Sequence, residues 1–126
     1  FISSIKIPLF KENIFKAYKI SKRFDDDISS ILGSFNFEII NNKIKEVYIA
    51  YGGMAAVPKR ARACEEILKN KPLTINTFTK AKDYLEKDFA PIGDMRASKE
   101  YRLEVAKNLL IKCFIEINTK KLTRVI

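Results

Sequence analysis

Alternation of apolar and polar residues predicts a β-hairpin in the first half of the chain. The alternation runs over residues 31–40 and again over residues 43–51, and both stretches have the length of ordinary strands. Asn41 and Asn42 lie between them, and asparagine tolerates the left-handed backbone that a tight hairpin turn requires. The residues expected to share one face of the hairpin are Phe35, Phe37, Ile39, Val47, Ile49 and Tyr51.

Apolar residues three or four positions apart predict three helices in the second half of the chain. One is expected from Pro58 to Leu68, since proline suits the first turn of a helix. The other two are expected to begin at Thr77 and Ser98, whose hydroxyls can cap a helix N-terminus. The last helix should lie centrally across the sheet, because its apolar stripe is wide. The stripe contains Leu103, Ala106, Leu110, Cys113 and Ile117, with Tyr101, Val105 and Leu109 beside them.

The N-terminal part of the chain predicts two further elements. A short strand is expected over residues 2–7, where apolar and polar residues alternate. A helix is expected over residues 11–22, with Ile14, Phe15 and Tyr18 on one face. Together with the hairpin and the three later helices, these elements predict an α+β fold. In that fold a small antiparallel sheet packs against three to four helices.

The composition indicates one folded domain rather than a disordered or membrane-spanning chain. With 126 residues, of which 47% are hydrophobic and 31% charged, the chain can bury a core of its own. It lacks the run of roughly 18 apolar residues that a transmembrane helix requires, so we expect no membrane partner. We therefore treat residues 1–126 as a single domain. Because the first residue is Phe rather than Met, we expect a piece of a longer protein.

The formal charge of +9 raises the question of a nucleic-acid partner. The lysines are spread over every segment rather than gathered in one stripe. Arginine and aromatic residues do not interleave as they do in stacking platforms for bases. We therefore expect no nucleic-acid partner. A basic nucleic-acid-binding domain stays as an alternative that a clustered lysine face would favour.

Cysteine and histidine usage argues against a metal or redox site within this chain. Cys64 and Cys113 lie in helical apolar patterns, far apart in sequence, and form no metal-binding motif. We expect both to be buried, unpaired thiols in a reducing compartment. The chain has no histidine, which removes the usual general base and the commonest zinc ligand. No catalytic residue and no metal ligand is therefore predicted.

Two short motifs have both a functional and a structural interpretation. Gly52-Gly53 follows a predicted strand but lacks the spacing of a phosphate-binding loop, so a sharp turn with positive φ is favoured. The acidic run Asp25–Asp27 offers hard oxygen ligands, but no glycine or distal Glu completes a cation-binding loop. We expect one of these aspartates to cap a turn and another to pair with Arg23 or Lys22.

The segment Asp94–Ser98 comes directly before the last predicted helix. A functional interpretation would place Arg96 near an anionic group. The structural alternative is a buried ion pair between Arg96 and Asp94, or another acidic residue, that anchors an irregular loop.

Four segments together resemble one protein family. They are Tyr18–Arg23 leading into Asp26-Asp27-Ile28, then Tyr51–Ala56, then Pro91–Ser98 and Tyr101-Arg102. In this order they resemble the C-terminal domain of the FAD-binding subunit of molybdenum hydroxylases. The likeness is to the small subunit of bacterial xanthine dehydrogenases and, more distantly, to the carbon monoxide dehydrogenase flavoproteins. It extends from about Ile5 to Ile117.

The resemblance implies a parent oxidoreductase of purine catabolism in the cytoplasm. There, electrons from a substrate oxidised at a molybdopterin centre would pass through two [2Fe-2S] clusters to FAD and then to NAD. The implied partners are upstream FAD-binding and [2Fe-2S] domains of the same subunit and a separate molybdopterin-binding subunit. FAD would be held mainly by the upstream domain, so this piece alone is expected to carry no cofactor and to be inert.

Lys19 and Arg23 are the residues that the resemblance assigns to cofactor binding. From its position alone, Lys19 would be a solvated lysine on an amphipathic helix. In the family, a lysine at this place reaches the flavin ring and an arginine at the place of Arg23 lies beside the same face. A cation near N1 and O2 of the flavin would stabilise the anionic reduced ring. A repurposed protein-interaction module of the same fold stays open as the alternative, which loss of flavin contact at Lys19 would favour.

Overall fold

Four antiparallel strands form one sheet in the order in which they follow along the chain, and helices cover one of its faces. The computed structural model describes residues 1–9, 12–25 and 27–121. The strands are β1 (Ile14–Ile20), β2 (Ile31–Ile40), β3 (Lys43–Gly52) and β4 (Lys59–Arg60), in the order β1-β2-β3-β4. The helices are α1 (Arg62–Leu68), α2 (Ile75–Asp83), α3 (Leu85–Asp88) and α4 (Lys99–Thr119). The predicted α+β fold is confirmed.

The β2–β3 hairpin is the centre of the sheet and agrees with the sequence prediction. Asn41 and Asn42 have φ values of 49° and 59°, so both turn residues adopt the left-handed backbone. In both strands, every second side chain points to the face that the helices cover, and the side chains between them point to the open face. The fully buried side chains of the hairpin include Phe35, Phe37, Ile44, Ile49 and Tyr51.

The helix predicted over residues 11–22 is wrong, because most of this segment forms β1. The strand pairs with β2 along its whole length, from Ile14 opposite Phe37 to Ile20 opposite Ile31. Even-numbered residues of β1 are half-buried and odd-numbered residues are exposed, which is strand periodicity. The helical spacing of a few apolar residues was ambiguous over so short a stretch. Pairing with a strand that follows later in the chain decided the outcome.

The strand expected over residues 2–7 is absent, and residues 1–9 contain no regular element. Ile5 and Ile7 are largely exposed, so their alternation with polar residues does not mark a buried face. An alternating segment becomes a strand only where another strand supplies hydrogen-bond partners.

Two predicted helix starts also need correction. Pro58 precedes β4, which pairs with β3, and α1 begins only at Arg62. The N-cap residue of α1 makes no side-chain hydrogen bond to the first turn of the helix. The Asp88 carboxylate takes this role and accepts from the backbone N–H groups of Ala63, at 2.9 Å, and Cys64, at 3.0 Å. Helix α2 is capped by Thr74, whose hydroxyl accepts from the Thr77 N–H at 3.4 Å. Thr77 is therefore the donor and not the cap.

Helix α4 is the longest element and packs on β1, β2, α2 and α3. Ser98 caps it as predicted, accepting from the Tyr101 N–H at 3.1 Å. The centre of the predicted stripe is buried, whereas Tyr101 is exposed and Leu103 and Val105 are half-buried. Tyr51 of β3 donates from its hydroxyl to the Ala106 carbonyl at 2.8 Å, which ties the helix to the sheet. Within the described ranges, no helix has the length and apolar character needed to cross a membrane.

Leu110→Ala should lower the free energy of unfolding by roughly 2–5 kcal/mol, because Leu110 is fully buried and its truncation leaves a cavity. Chemical denaturation of the two proteins measures the difference. Ile115 on the same helix is 37% exposed, so Ile115→Ala is the matched control and should cost markedly less. Equal losses for the two variants would contradict this assignment of the buried face.

Cys64 and Cys113 are free and buried, as expected from the sequence. Burial raises the pKa of both thiols, that of Cys113 to about 12, so little reactive thiolate exists near neutral pH. A thiol-labelling reagent should therefore react slowly with the native protein and rapidly after denaturation. Fast labelling of both residues in native buffer would count against this packing.

Candidate functional site

A buried arginine on α4 connects three loops at one end of the sheet. Arg102 is only 4% exposed. Its Nη1 donates to the carbonyl oxygen of Ser30 and to that of Gly53, the latter at 2.7 Å. Its Nη2 donates to Oδ1 of Asp94 at 2.8 Å. We call this set of contacts, between Arg102 and Ser30, Gly53 and Asp94, the arginine clamp.

Asp94 organises the loop before α4 and joins it to the clamp. Its Oδ1 accepts from the N–H groups of Arg96, at 2.8 Å, and Ala97, at 3.2 Å. The hydrogen bond from Arg96 N–H, and then that from Arg102, hold the pKa of Asp94 below its ordinary value, so the carboxylate is charged at neutral pH. The Arg96 guanidinium lies 4.0 Å from the same carboxylate, and both side chains are partly exposed. The expected buried Arg96–Asp94 pair is therefore wrong: Arg102 is the close partner.

Gly53 closes the sharp turn after β3 and supplies a carbonyl to the clamp. Its φ is +80°, a backbone conformation that favours glycine. A Cβ atom at this position would overlap the Ser30 carbonyl oxygen and lie 2.9 Å from Nη1 of Arg102. The turn interpretation of Gly52-Gly53 is thus confirmed, and close approach of two backbone segments explains the need for glycine.

The loop between β1 and β2, residues 21–30, is held mainly by polar contacts. The Ser30 N–H donates to the Ile20 carbonyl at 2.7 Å and closes the base of the loop. The Ser30 hydroxyl donates to the carbonyl of Arg96 at 3.3 Å, and Lys22 Nζ donates to that of Met95 at 2.7 Å. The loop is therefore attached to the segment around Asp94 as well as to Arg102.

Asp27 shapes the same loop by pairing with Arg23. Its Oδ2 accepts from the Arg23 N–H at 3.0 Å, and its Oδ1 lies 3.5 Å from the Arg23 guanidinium. The hydrogen bond from the Arg23 backbone, followed by the charge of its guanidinium, lowers the pKa of Asp27. The expected pairing of the acidic run with Arg23 is confirmed, but Asp27 makes both this pair and the backbone contact, which were expected from two different aspartates. Asp26 lies outside the described residues, and no acidic cluster suited to a metal ion occurs among the described ones.

Lys19 and Arg23 lie at the same end of the sheet as the clamp. Lys19 is on β1 opposite Leu32, with its exposed side chain on the face that the helices leave open. It makes no hydrogen bond or ion pair with any residue in the described part of the chain. Arg23 is in the following loop with a side chain 74% exposed. Lys19 therefore has no internal charge partner among the described residues, whereas Arg23 is largely exposed and paired with Asp27.

Sequence reasoning did not predict that α4 buries two charged residues, Arg102 and Glu116. Glu116 accepts from the Tyr18 hydroxyl at 2.8 Å and from Lys112 Nζ at 2.7 Å. Burial and this hydrogen bond raise the pKa of Tyr18 well above its usual range. A signal was present, since Arg102 precedes Ala106 by four residues and lies in phase with the apolar stripe.

Comparison with protein families gives one match over most of the chain. Residues 16–117 match the model of the CO dehydrogenase flavoprotein C-terminal domain. The xanthine dehydrogenase FAD-binding subunit of Escherichia coli O157:H7 is 31% identical over 110 residues, covering 86% of this chain and 38% of that protein. A xanthine dehydrogenase of Emericella nidulans is 36% identical over 92 residues, covering 70% of this chain and 7% of that protein.

Solved structures agree with this match at the level of the fold. The carbon monoxide dehydrogenase of Hydrogenophaga pseudoflava superposes with a TM-score of 0.75 at 18% identity, covering 82% of this chain and 36% of that one. The quinoline 2-oxidoreductase of Pseudomonas putida 86 gives a TM-score of 0.73 at 16% identity, covering 86% and 38%. The chain thus spans about two fifths or less of the proteins that it matches.

Gly53→Ala should destabilise the protein by about 1–3 kcal/mol from the left-handed backbone alone, with the overlap on Ser30 adding to the loss. Gly52→Ala is the matched control, because a Cβ there meets only Leu32 at an ordinary 3.7 Å. Thermal or chemical denaturation compares the two variants. A Gly53→Ala protein as stable as the Gly52→Ala protein would show that the turn does not need glycine.

Proposed function

Because the chain belongs to the CO dehydrogenase flavoprotein C-terminal domain family, we propose that it is the C-terminal domain of the FAD-binding subunit of a xanthine dehydrogenase-like oxidoreductase. The match over residues 16–117 carries this proposal, and the E. coli subunit at 31% identity supports it. The remaining length of such a subunit would hold most of the FAD. The substrate of the parent enzyme would be selected at its molybdenum centre, outside this domain.

The exposed cations of this domain fit a flavin neighbour. Lys19 offers an ammonium group without a partner in the described part of the chain, and Arg23 offers a largely exposed guanidinium. Neither Gly52-Gly53 nor another segment has the glycine spacing of a dinucleotide-binding loop, so the pyrophosphate would be bound by the rest of the subunit. We therefore assign to this domain the isoalloxazine side of the site.

In the proposed enzyme, FAD supplies the step between one-electron [2Fe-2S] centres of the molybdenum hydroxylase and two-electron reduction of NAD. In this proposal, Lys19 and Arg23 would place positive charge near N1 and O2 of the ring, where the reduced flavin carries negative charge. β1 holds the Lys19 backbone by pairing with β2, so the side chain starts from a rigid element. The two cations would favour electron delivery to the flavin by raising its reduction potential.

The setting we propose is the cytoplasm, in a complex with the molybdopterin-binding subunit. The two free thiols agree with a reducing compartment. The large exposed side chains near the clamp, Phe24, Ile28, Ile92 and Met95, agree with contact to neighbouring domains at this end of the sheet.

Lys19→Met in the full-length subunit should lower the FAD reduction potential and slow NAD-coupled turnover, because it removes a cation from the reduced ring. The thermal stability should change little, since Lys19 is exposed and outside the core. Potentials are measured by spectroelectrochemistry, and substrate oxidation by the molybdenum centre is followed with an artificial acceptor and should survive.

Lys71→Met is the matched control for this experiment. Lys71 is exposed and its carbonyl accepts from Ile44 N–H near the hairpin turn, at the opposite end of β3 from Gly52. Its loss should leave the flavin potential unchanged. If Lys19→Met behaves like Lys71→Met, Lys19 is an ordinary solvated lysine and the proposed flavin contact is wrong.

A further inference from the structure

We propose that Arg102 is a positioning residue that holds the loop 21–30, and with it Arg23, in place beside the flavin. The inference rests on the proposed function, because it concerns the same site. Arg102 itself is buried, so we assign it no direct contact with the flavin. It acts on the loop through the carbonyl oxygen of Ser30.

The loop 21–30 has little apolar packing to fix its shape. Phe24 is fully exposed and Ile28 is 64% exposed, so neither anchors the loop in the core. Within this domain, the position of the loop therefore depends on hydrogen bonds and on the Arg23–Asp27 pair. A loop held in this way opens locally at a much smaller free energy than the whole domain.

Apart from the Ser30 N–H bond to Ile20 that closes its base, the contacts of the described loop residues with the rest of the domain lead to the arginine clamp. Arg102 binds the Ser30 carbonyl directly. The Ser30 hydroxyl and Lys22 bind carbonyls of the segment whose backbone N–H groups are fixed by Asp94. Since Asp94 also binds Arg102, the arginine sets both the loop and the segment on which the loop rests. Arg23 inherits its position from this arrangement.

A substitution at Asp94 can weaken the clamp without disturbing the core. Its side chain is 42% exposed, whereas that of Arg102 is 5% exposed. Neutralising Asp94 leaves the buried guanidinium with two carbonyl oxygens and no carboxylate, which weakens the clamp. Among the described residues the Arg102 Nε has no hydrogen-bond partner, so no other acceptor is in place to replace the lost charge.

The test uses Asp94→Asn and Arg102→Lys in the full-length FAD-binding subunit. Trypsin cleavage after Lys22 and Arg23 reports on opening of the loop, and should become about tenfold faster in both variants, as loss of a charge-assisted hydrogen bond would cause. The FAD potential should fall in both, in the same direction as in Arg23→Met. Asp94→Asn carries the test by itself if Arg102→Lys does not fold.

A double variant separates positioning from a general structural effect. If Arg102 acts through Arg23, Asp94→Asn should lower the potential in the wild-type background but add nothing in the Arg23→Met background. The matched control is Arg60→Gln, which breaks another arginine–carboxylate pair, with Glu65 at 2.6 Å, beside α1. It should change neither the cleavage after Lys22 and Arg23 nor the potential.

Several results would overturn the inference. Cleavage rates that match the Arg60→Gln control would show that the clamp does not hold the loop. Two results would overturn the positioning role alone. One is an FAD reduction potential that changes in Arg23→Met but not in Asp94→Asn. The other is a shift caused by Asp94→Asn that persists in the double variant. A potential that ignores both Lys19→Met and Arg23→Met would overturn the proposed flavin contact, and this inference with it.

Discussion

The hydrogen bonds of the Arg102 guanidinium organise the end of the domain at which Ser30, Gly53 and Asp94 lie. A buried cation is stable only where acceptors replace the water that it loses. Here the acceptors come from three places: the carbonyls of Ser30 and Gly53 and the carboxylate of Asp94. The left-handed backbone of Gly53, for example, belongs to the turn that presents its carbonyl oxygen to Arg102. Three of the four family segments, which contain Gly53, Asp94 and Arg102, thus meet at one side chain.

The elements that could be predicted are those whose signals are local. The asparagine turn fixes the β2–β3 hairpin, and the Ser98 hydroxyl together with a long apolar stripe fixes α4. β1 could not be predicted in the same way, because its residues form a strand only when β2 pairs with them. Nor could the capping of α1, since Asp88 reaches its first turn from an element more than twenty positions later in the chain.

The sequence could propose residues for the candidate site but could not predict their geometry. Lys19 and Arg23 come from the family resemblance, whereas their presentation on an edge strand and its loop comes from the structure. The choice of Arg96 as partner for Asp94 followed nearness in sequence. The Ser98 cap instead starts a helix whose first turn brings Arg102 back to the carboxylate, while the Arg96 backbone N–H occupies the same oxygen. Nearness in sequence therefore gave the wrong ion-pair partner for Asp94, because the first turn of α4 brings a more distant arginine closer.

The fold separates the residues that maintain stability from those proposed to act on the flavin. The inward face of β1 packs against the core through Ile14, Tyr18 and Ile20, while Lys19 points to the open face. Charge at position 19 can therefore change without repacking the interior. Arg23 differs, because the large apolar side chains described in its loop, Phe24 and Ile28, are exposed and the loop is held through Arg102. The position of Lys19 thus depends on strand pairing, and that of Arg23 depends on the buried charge of Arg102. Weakening the clamp should therefore displace Arg23 and leave Lys19 in place.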